Sequence, residues 1–534
     1  MGRFRVQAAC AAIAVAGVLV VTLGGQVDDT RFQLLQYVGL PAVDQGLILR
    51  DARLHDRTGS SGTRYSAGRV IVKFRDEAAM ADRRAAVRAA SGTGEIAVRP
   101  SYADFDVVHI DPAEDPEDAA SVLRARREVQ YAQVSHRVHA LAAFVPNDPL
   151  YASQQWNLPM INMEKAWEIQ PQAGSTITVA VIDTGMAYQN ATITATLPAF
   201  RDARGRLYPA LGRVIIPYSA APQLVSPSGA SRIVAPHDFV NETATPLDYE
   251  GHGTHVSGTI GQLTNDAIGT AGVAYNVKLM PVKVLASEWD LLFAGLTNIS
   301  NTGGSDDDVA RGIRYAADNG AKVLNLSLGS SGPANCATNP NQADCSPVVE
   351  AAMRYAVSKG CFLTVAGGNE FEDTVAPFGK NPTSVLAEIA SRIPGVVSVA
   401  AVDKAKEHAF YSSTGSYIEL SAPGGSSRSS PALGVVQQTF DSTFTDTFLL
   451  SPALFRAPRF DVMAYLPYQG TSMAAPHVAG VAAMLMQQGI TDPAVIEEIL
   501  EKTAVDLGSP GRDNTFGFGL VDARAALRGL GLAK

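Results

Sequence analysis

Three short blocks of the chain carry residues suited to nucleophilic acyl transfer: VAVIDTG around Asp183, GHGTHVSGTIG around His252 and GTSMAAPHVAG around Ser472. A serine hydroxyl is a poor nucleophile near neutral pH until an imidazole takes its proton. The imidazole in turn needs a buried carboxylate to hold its tautomer and stabilise the charge it acquires. Taken singly the blocks are ordinary, since Asp-Thr-Gly suits a turn and Gly-Thr-Ser a helix cap. Together they supply nucleophile, base and orienting carboxylate. The reaction also needs a donor for the oxyanion, and AGGNE at 366–370 offers the amide of Asn369. Ser472 opens a run of small residues read as a helix start, where the helix dipole favours negative charge on an attacked carbonyl.

The chain order Asp, His, Ser differs from that of chymotrypsin and of the α/β-hydrolases, and no Gly-x-Ser-x-Gly elbow surrounds Ser472. On these blocks the chain resembles the subtilisin-like serine proteases (subtilases, peptidase S8) from about Pro146 to its C-terminus. The resemblance implies that His252 is the base, with His255 and His477 structural, and that Asn369 and the Ser472 backbone N–H hold the oxyanion. It implies that NLSLG at 325–329 and AGG at 366–368 flank an extended substrate by β-augmentation, so that Ser327, Leu328, Gly329, Gly367 and Gly368 line its pockets. LTNDAIGTAGVA at 263–274 resembles the family's calcium loop, with a side-chain oxygen from Asp266 and carbonyls from Thr264, Ile268 and Thr270. HDFVNETATPLD at 237–248 resembles a second calcium loop, in which Asn241 and Thr243 replace acidic residues and leave mainly Asp238.

The elements that position these residues are legible as periodicity. From Thr176 onward the apolar runs ITVAVI, VKLMPVKVL, KVLNLSL, CFLTVA and VVSVAA alternate with helical segments. Runs apolar on both faces with helices between them predict an α/β fold, a mostly parallel central sheet covered on both sides. Asp183 then ends a central strand. Asp306 to Asn319 is one predicted helix, with Asp308 as its cap, Val309, Ile313 and Ala317 on one face and Gly320 closing it. Two excursions interrupt the pattern, at about 186–236 and 426–465, and read as functional or mobile loops bordering the cleft.

Upstream, RVIVKF at 69–74, a helix over 76–90, DFDVVHI at 104–110, a helix from the cap Asp115 to about Arg127 and VQYAQVSHRV give β-α-β-α-β. This small α+β pattern at 66–140 resembles the inhibitory propeptide of subtilases, which would be cut between about His136 and Asn147 and act as an intramolecular inhibitor. Residues 26–65 read as a linker. Arg3 and Arg5 precede an uncharged run over 6–25, which reads as an export signal or a membrane anchor, both open. The chain is then extracellular, periplasmic or anchored facing outward. Cys10 in that run is an apolar residue of a targeting helix.

With 534 residues, 46% hydrophobic and 18% charged, the chain is globular and large enough for a second domain beside the one at 146–534. Its net charge of −9 is spread out, and no basic stripe suggests a nucleic-acid partner. Cys336 and Cys345 flank a polar loop and read as a local disulfide in an exported protein or as two free thiols. Cys361 reads as a small buried hydrophobe. The expectation is a serine endopeptidase made as a proenzyme, acting on protein or peptide substrates without a catalytic cofactor, with calcium as a structural ion. Two rivals stay open: a catalytically silent binding or scaffold protein of the same fold, and a hydrolase or peptide transferase using the same site.

Overall fold

The computed structural model describes residues 65–97, 99, 103–136, 144–202, 204–225, 232–300, 302–333, 336 and 345–528. The apolar run over 6–25, the 26–64 part of the linker and most of the 136–147 segment lie outside the described residues. The chain divides into two compact units, Met1–Ala140 and Leu141–Lys534.

In the first unit a four-stranded antiparallel sheet runs, in spatial order, Glu95–Ile96, Asp106–His109, Tyr65–Phe74 and Val129–His136. Helices Met80–Ala90 and Pro116–Arg124 supply Ala86, Val87, Ala119, Ala120 and Leu123 to a core with Val70, Val72, Val108 and Val134. Asp115 caps the second helix by accepting from the Glu117 N–H at 2.8 Å, as its position before Pro116 predicts. The strand Glu95–Ile96 was not expected. The first helix starts four residues later than read, because 76–79 form a turn without helical bonding.

The second unit is built on a seven-stranded sheet, parallel throughout. Its spatial order is His237–Asp238, Lys278–Lys283, Thr178–Asp183, Val323–Leu326, Phe362–Ala366, Val396–Val402 and Leu420–Pro423. The five apolar runs are the five inner strands. Residues of Thr178–Asp183 alternate: Val179 and Val181 pack with Val256 and Ile260 of helix His252–Gly261 and with helix Thr471–Gln487. Ala180 and Ile182 pack with Val309 and Ile313 of helix Asp306–Asp318 and with Val349 and Met353 of helix Pro347–Ser358. Strands later in the chain add on both sides of Thr178–Asp183, so Asp183 stands at the carboxyl end of a strand beside a topological switch point, where open α/β sheets form their clefts.

Several local expectations are corrected. The cap of helix Asp306–Asp318 is Ser305, whose hydroxyl accepts from the Asp308 N–H, not Asp308 itself. The described residues of the excursions are not loose loops. In the second, strands Val435–Phe440 and Met463–Tyr468 form a hairpin whose first strand is wholly buried. The first contains a hairpin of Ala191–Leu197 with Gly212–Tyr218, and the two excursions join through Ser219 N–H to Phe460 C=O and Phe460 N–H to Pro217 C=O, both 3.0 Å. At the junction Phe200 stacks on Tyr208 with Phe455 edge-on to both, and Tyr218, Phe440 and Phe460 meet edge-on or tilted. Aromatic burial holds these segments as part of the core. Cys336 and Cys345 form the disulfide, and Cys361 is a buried free thiol.

At the far edge of the sheet Glu419, 5% exposed, shares a cluster with Glu497 and Glu501, their carboxylate oxygens within 4.8 Å of one another. Burial, reinforced by its two like-charged neighbours, pushes Glu419 up to about 8, against the Ser398 N–H and Arg512; burial and Glu497 push Glu501 up to about 7. The folded chain therefore holds protons that the unfolded chain releases near pH 4.5, and stability falls as pH rises from about 4.5 to about 7–8. Glu419→Gln keeps an acceptor for the Ser398 N–H and removes the charge. It is expected to flatten the decline in Tm between about pH 6 and about pH 8.5, recovering about 2 kcal/mol at the alkaline end. Thermal unfolding of both proteins at the two pH values checks this.

Candidate active site

The structure brings Asp183, His252 and Ser472 to the carboxyl edge of the sheet, although 69 and then 220 positions separate them in sequence. Asp183, fully buried, accepts at Oδ1 from its neighbour's Thr184 N–H at 2.7 Å and pairs at the same oxygen with His252 Nδ1 at 2.7 Å. The pair depends on close approach of helix His252–Gly261 to the strand. A β-carbon on Gly253 would stand 2.2 Å from the Gly185 carbonyl oxygen, so no other residue allows the helix to lie there. The His252 side chain keeps 23% of its surface exposed. Burial alone would push its pKa down, but the Asp183 charge and hydrogen bond, with the Glu250 and Asp248 charges, outweigh it and raise the value from 6.5 to about 9.

The other two histidines are closed to chemistry. His255 Nε2 faces the Val435 and Leu466 carbonyls, at 3.1 and 3.0 Å, so it carries the proton, and burial pushes the ring down to about 3. His477 Nδ1–H donates to the Met473 carbonyl and its Nε2 accepts from Asn157 Nδ2, both 2.8 Å, and burial pushes it down to about 4. Both rings are neutral structural pins.

Ser472 is the second residue of helix Thr471–Gln487, entered through Gly470 at φ +149. Pro476 has no N–H, so the Ser472 carbonyl loses its usual partner four residues on. Ser327 Oγ donates to that carbonyl at 2.8 Å, while Ser472 Oγ donates to the Ser327 carbonyl at 3.2 Å. The NLSLG segment is thus bolted to the serine by two reciprocal bonds.

Asn369 is oriented by the residue before the serine. Its Oδ1 accepts from the Thr471 N–H at 2.9 Å and from Thr471 Oγ1 at 3.0 Å. A backbone N–H can only donate, so the amide oxygen must face it and the NH₂ turns away. That Nδ2 and the Ser472 backbone nitrogen both lie 3.6 Å from the point where a β-carbon on residue 470 would project. Neither makes a hydrogen bond among the described residues. Two free donors beside a side-chain-free residue form a site for an anion.

A cavity of about 540 Å³ opens beside His252 and includes Ser327, Leu328 and Gly329 in its wall. Gly367 and Gly368 do not border it. Gly367 N–H bonds the Val399 carbonyl, and Gly368 packs against Ser384 and Ser413 with its N–H on Thr471 Oγ1.

One residue of the site escaped the sequence reading. Asp248, fully buried, accepts from the N–H groups of Glu250, Gly251 and Thr254 and from the hydroxyls of Thr184 and Thr254. It ties the residue after Asp183 to the turn that presents His252. Its signal was a carboxylate four positions before that histidine, in DYEGH. The segment read as a second calcium loop already meets a cation: Asp238 is held by Asn241, and nearby the buried Lys283 ammonium bonds the Thr184 and Leu247 carbonyls and pairs with Asp290 at 3.0 Å.

A parallel-sheet α/β unit with a buried Asp–His pair, a serine at a helix start and two convergent free donors defines a serine hydrolase. Residues 174–519 match the model of the subtilase family, and residues 53–135 match that of the fervidolysin N-terminal prodomain. The chain is 27% identical over 464 residues to a thermophilic serine proteinase of Bacillus sp. (strain AK1), covering 87% of this chain and 88% of that protein. It is 31% identical over 473 residues to an extracellular protease of Xanthomonas campestris pv. campestris, covering 82% and 67%. The crystal structure of fervidolysin from Fervidobacterium pennivorans superposes with TM-score 0.50 at 24% identity, over 88% of this chain and 62% of that one. The chain belongs to the subtilase family. It is a subtilisin-like serine protease with an N-terminal prodomain.

Proposed function

We propose that the chain is an exported endopeptidase made as a proenzyme, in which Asp183, His252 and Ser472 form the catalytic triad. On substrate arrival the Ser472 hydroxyl leaves the Ser327 carbonyl and passes its proton to His252 Nε2, while its oxygen attacks the peptide carbonyl. Asp183 holds the Nδ1–H tautomer and stabilises the imidazolium. Asn369 Nδ2 and the Ser472 N–H receive the oxyanion. His252 then protonates the leaving amine, and water releases the acyl-enzyme by the same steps in reverse. The 2.7 Å Asp183–His252 bond beside the open cavity is the observation that carries this reading. The test is labelling of the full chain with a fluorophosphonate, followed by peptide mapping. Label on the peptide containing Ser472, lost in His252→Ala, is expected; label elsewhere, or none in a chain that still cuts peptides, overturns it. Asn369→Ala is expected to lower kcat about 10²- to 10³-fold with little change in KM, read from initial rates.

The proposed organisation is a signal or anchor at 1–25, a linker at 26–65, an inhibitory prodomain at 66–140 and the peptidase at 146–534, with maturation by a cut between about His136 and Asn147. The prodomain match over 53–135, which begins inside the proposed linker, and the division at Ala140 support a prodomain ahead of the peptidase. Export is supported by the apolar run at 6–25 and by the extracellular Xanthomonas relative.

We further propose calcium as a structural ion on the 263–270 loop. Asp148, 3% exposed, accepts from the Asn265 and Asp266 N–H groups and faces the Asp266 carboxylate; burial and that like charge raise its pKa. Two carboxylates brought together by the N–H groups of one loop fit a hard cation, which would neutralise their repulsion and brace the loop. Asp148, unassigned in the sequence reading, would serve with Asp266 and the carbonyls of Thr264, Ile268 and Thr270. In a Ser472→Ala background, which prevents self-digestion, EGTA is expected to lower Tm by roughly 5 °C against a calcium buffer. Asp148→Asn should abolish that difference.

A further inference from the structure

The cavity beside His252 has a wall that the catalytic chemistry does not use. Besides Ser327–Ser330 it is lined by Leu285–Glu288 and Thr302–Asp306, and its border carries three carboxylates, Glu250, Glu288 and Asp306. Among the described residues no lysine or arginine borders it. Glu288 and Asp306 each follow a serine cap, Ser287 and Ser305, at the first position of a helix, where a carboxylate offsets the helix dipole. That local preference explains acidic residues there but not their lack of partners. Their neighbours are engaged: Asp290 holds Ser287 and Lys283, Asp308 pairs with Arg311, and Arg311 also takes Glu242. Glu288 and Asp306 make no hydrogen bond or ion pair among the described residues, and Glu250, exposed, accepts only the His252 N–H.

Glu288 and Asp306 lie in the same lining as His252, and a cleft whose fixed charges are mostly of one sign focuses its field on whatever enters it. Here the cleft is a built ligand site on independent grounds, since it shares His252 and Ser327 with the reacting centre. Gly303, Gly304 and Gly329 add no side chain to a lining that also includes Leu285, Val309, Leu328 and Leu386, and 540 Å³ leaves room for a long flexible one. We propose that this cavity receives a basic side chain of the substrate, so that the protease prefers peptides with lysine or arginine within a few residues of the bond it cuts. The proposal rests on the catalytic reading above and names its substrate class.

The preference is expected to be about ten- to a hundred-fold in kcat/KM, the sum of several partly exposed charge pairs in one cleft. The test uses mature enzyme prepared from the full chain and matched synthetic peptides carrying arginine or its uncharged isostere citrulline at each position around the cut. Arginine should be favoured at one or more positions, and the advantage should shrink as ionic strength rises. In Glu288→Gln/Asp306→Asn the arginine-to-citrulline ratio should fall toward one. Peptides cut equally well with either residue at every position overturn the proposal while leaving the catalytic reading intact. A preference unchanged in the double variant and in Glu250→Gln overturns its assignment to this cavity. A chain that neither cuts any peptide nor takes the fluorophosphonate overturns the catalytic reading and this inference with it.

Discussion

Ser472→Ala is expected to lower kcat/KM by about five to six orders of magnitude and to leave the full-length chain unprocessed. Among the described residues the neighbouring hydroxyls are engaged: Ser327 Oγ is committed to the Ser472 carbonyl and Thr471 Oγ1 to Asn369. The serine side chain itself makes a single 3.2 Å bond, to the Ser327 carbonyl, so its removal should leave the fold intact. Initial rates on a peptide substrate, with intact mass and N-terminal analysis of both proteins, check the two halves together. Wild type should start between about Ala140 and Asn147 and the variant should not. A variant that retains activity within tenfold of wild type would remove Ser472 from the mechanism. Identical cutting of both chains would assign maturation to another protease.

Asp183→Asn is expected to cost about four orders of magnitude in kcat. The asparagine is nearly isosteric and can still accept from the Thr184 N–H, so the loss is electrostatic and tautomeric. The direction of its pH effect follows from His252. A base must be neutral to act, and the surrounding carboxylates hold this imidazole above its ordinary 6.5. Wild-type kcat/KM should therefore rise with pH along a limb alkaline of 6.5. Removing the Asp183 charge takes away the largest influence raising that value, so the limb should move to lower pH while the plateau falls. A pH–rate profile of both proteins measures the shift. An unmoved limb would show that another group controls it.

What the residues determined alone was the chemistry and the class of scaffold. A triad needs only a few residue types in fixed local settings, and each setting is written within one block: Asp183 closes a strand, Gly253 admits a helix against it, and Gly470 and Pro476 frame the serine. Apolar runs of strand length likewise disclosed the five inner strands, because burial on both faces leaves no polar alternation. Tertiary structure decided what depends on partners distant along the chain. Asp148 reaches the 263–270 loop from 118 positions away, and Ser327 meets Ser472 across 145. Lys283 pairs with Asp290 and bonds the Thr184 and Leu247 carbonyls beside the 237–248 segment, and the two excursions become core only where their aromatic rings meet. Helix caps and pocket walls belong with these, since Ser305 and Asp308 cap equally well by type and Gly367 and Gly329 are equally small. Side-chain chemistry and hydrophobic period are properties of a segment. Long-range hydrogen bonds, ion pairs and ring contacts are properties of a fold, and they decide which of several chemically equivalent residues is used.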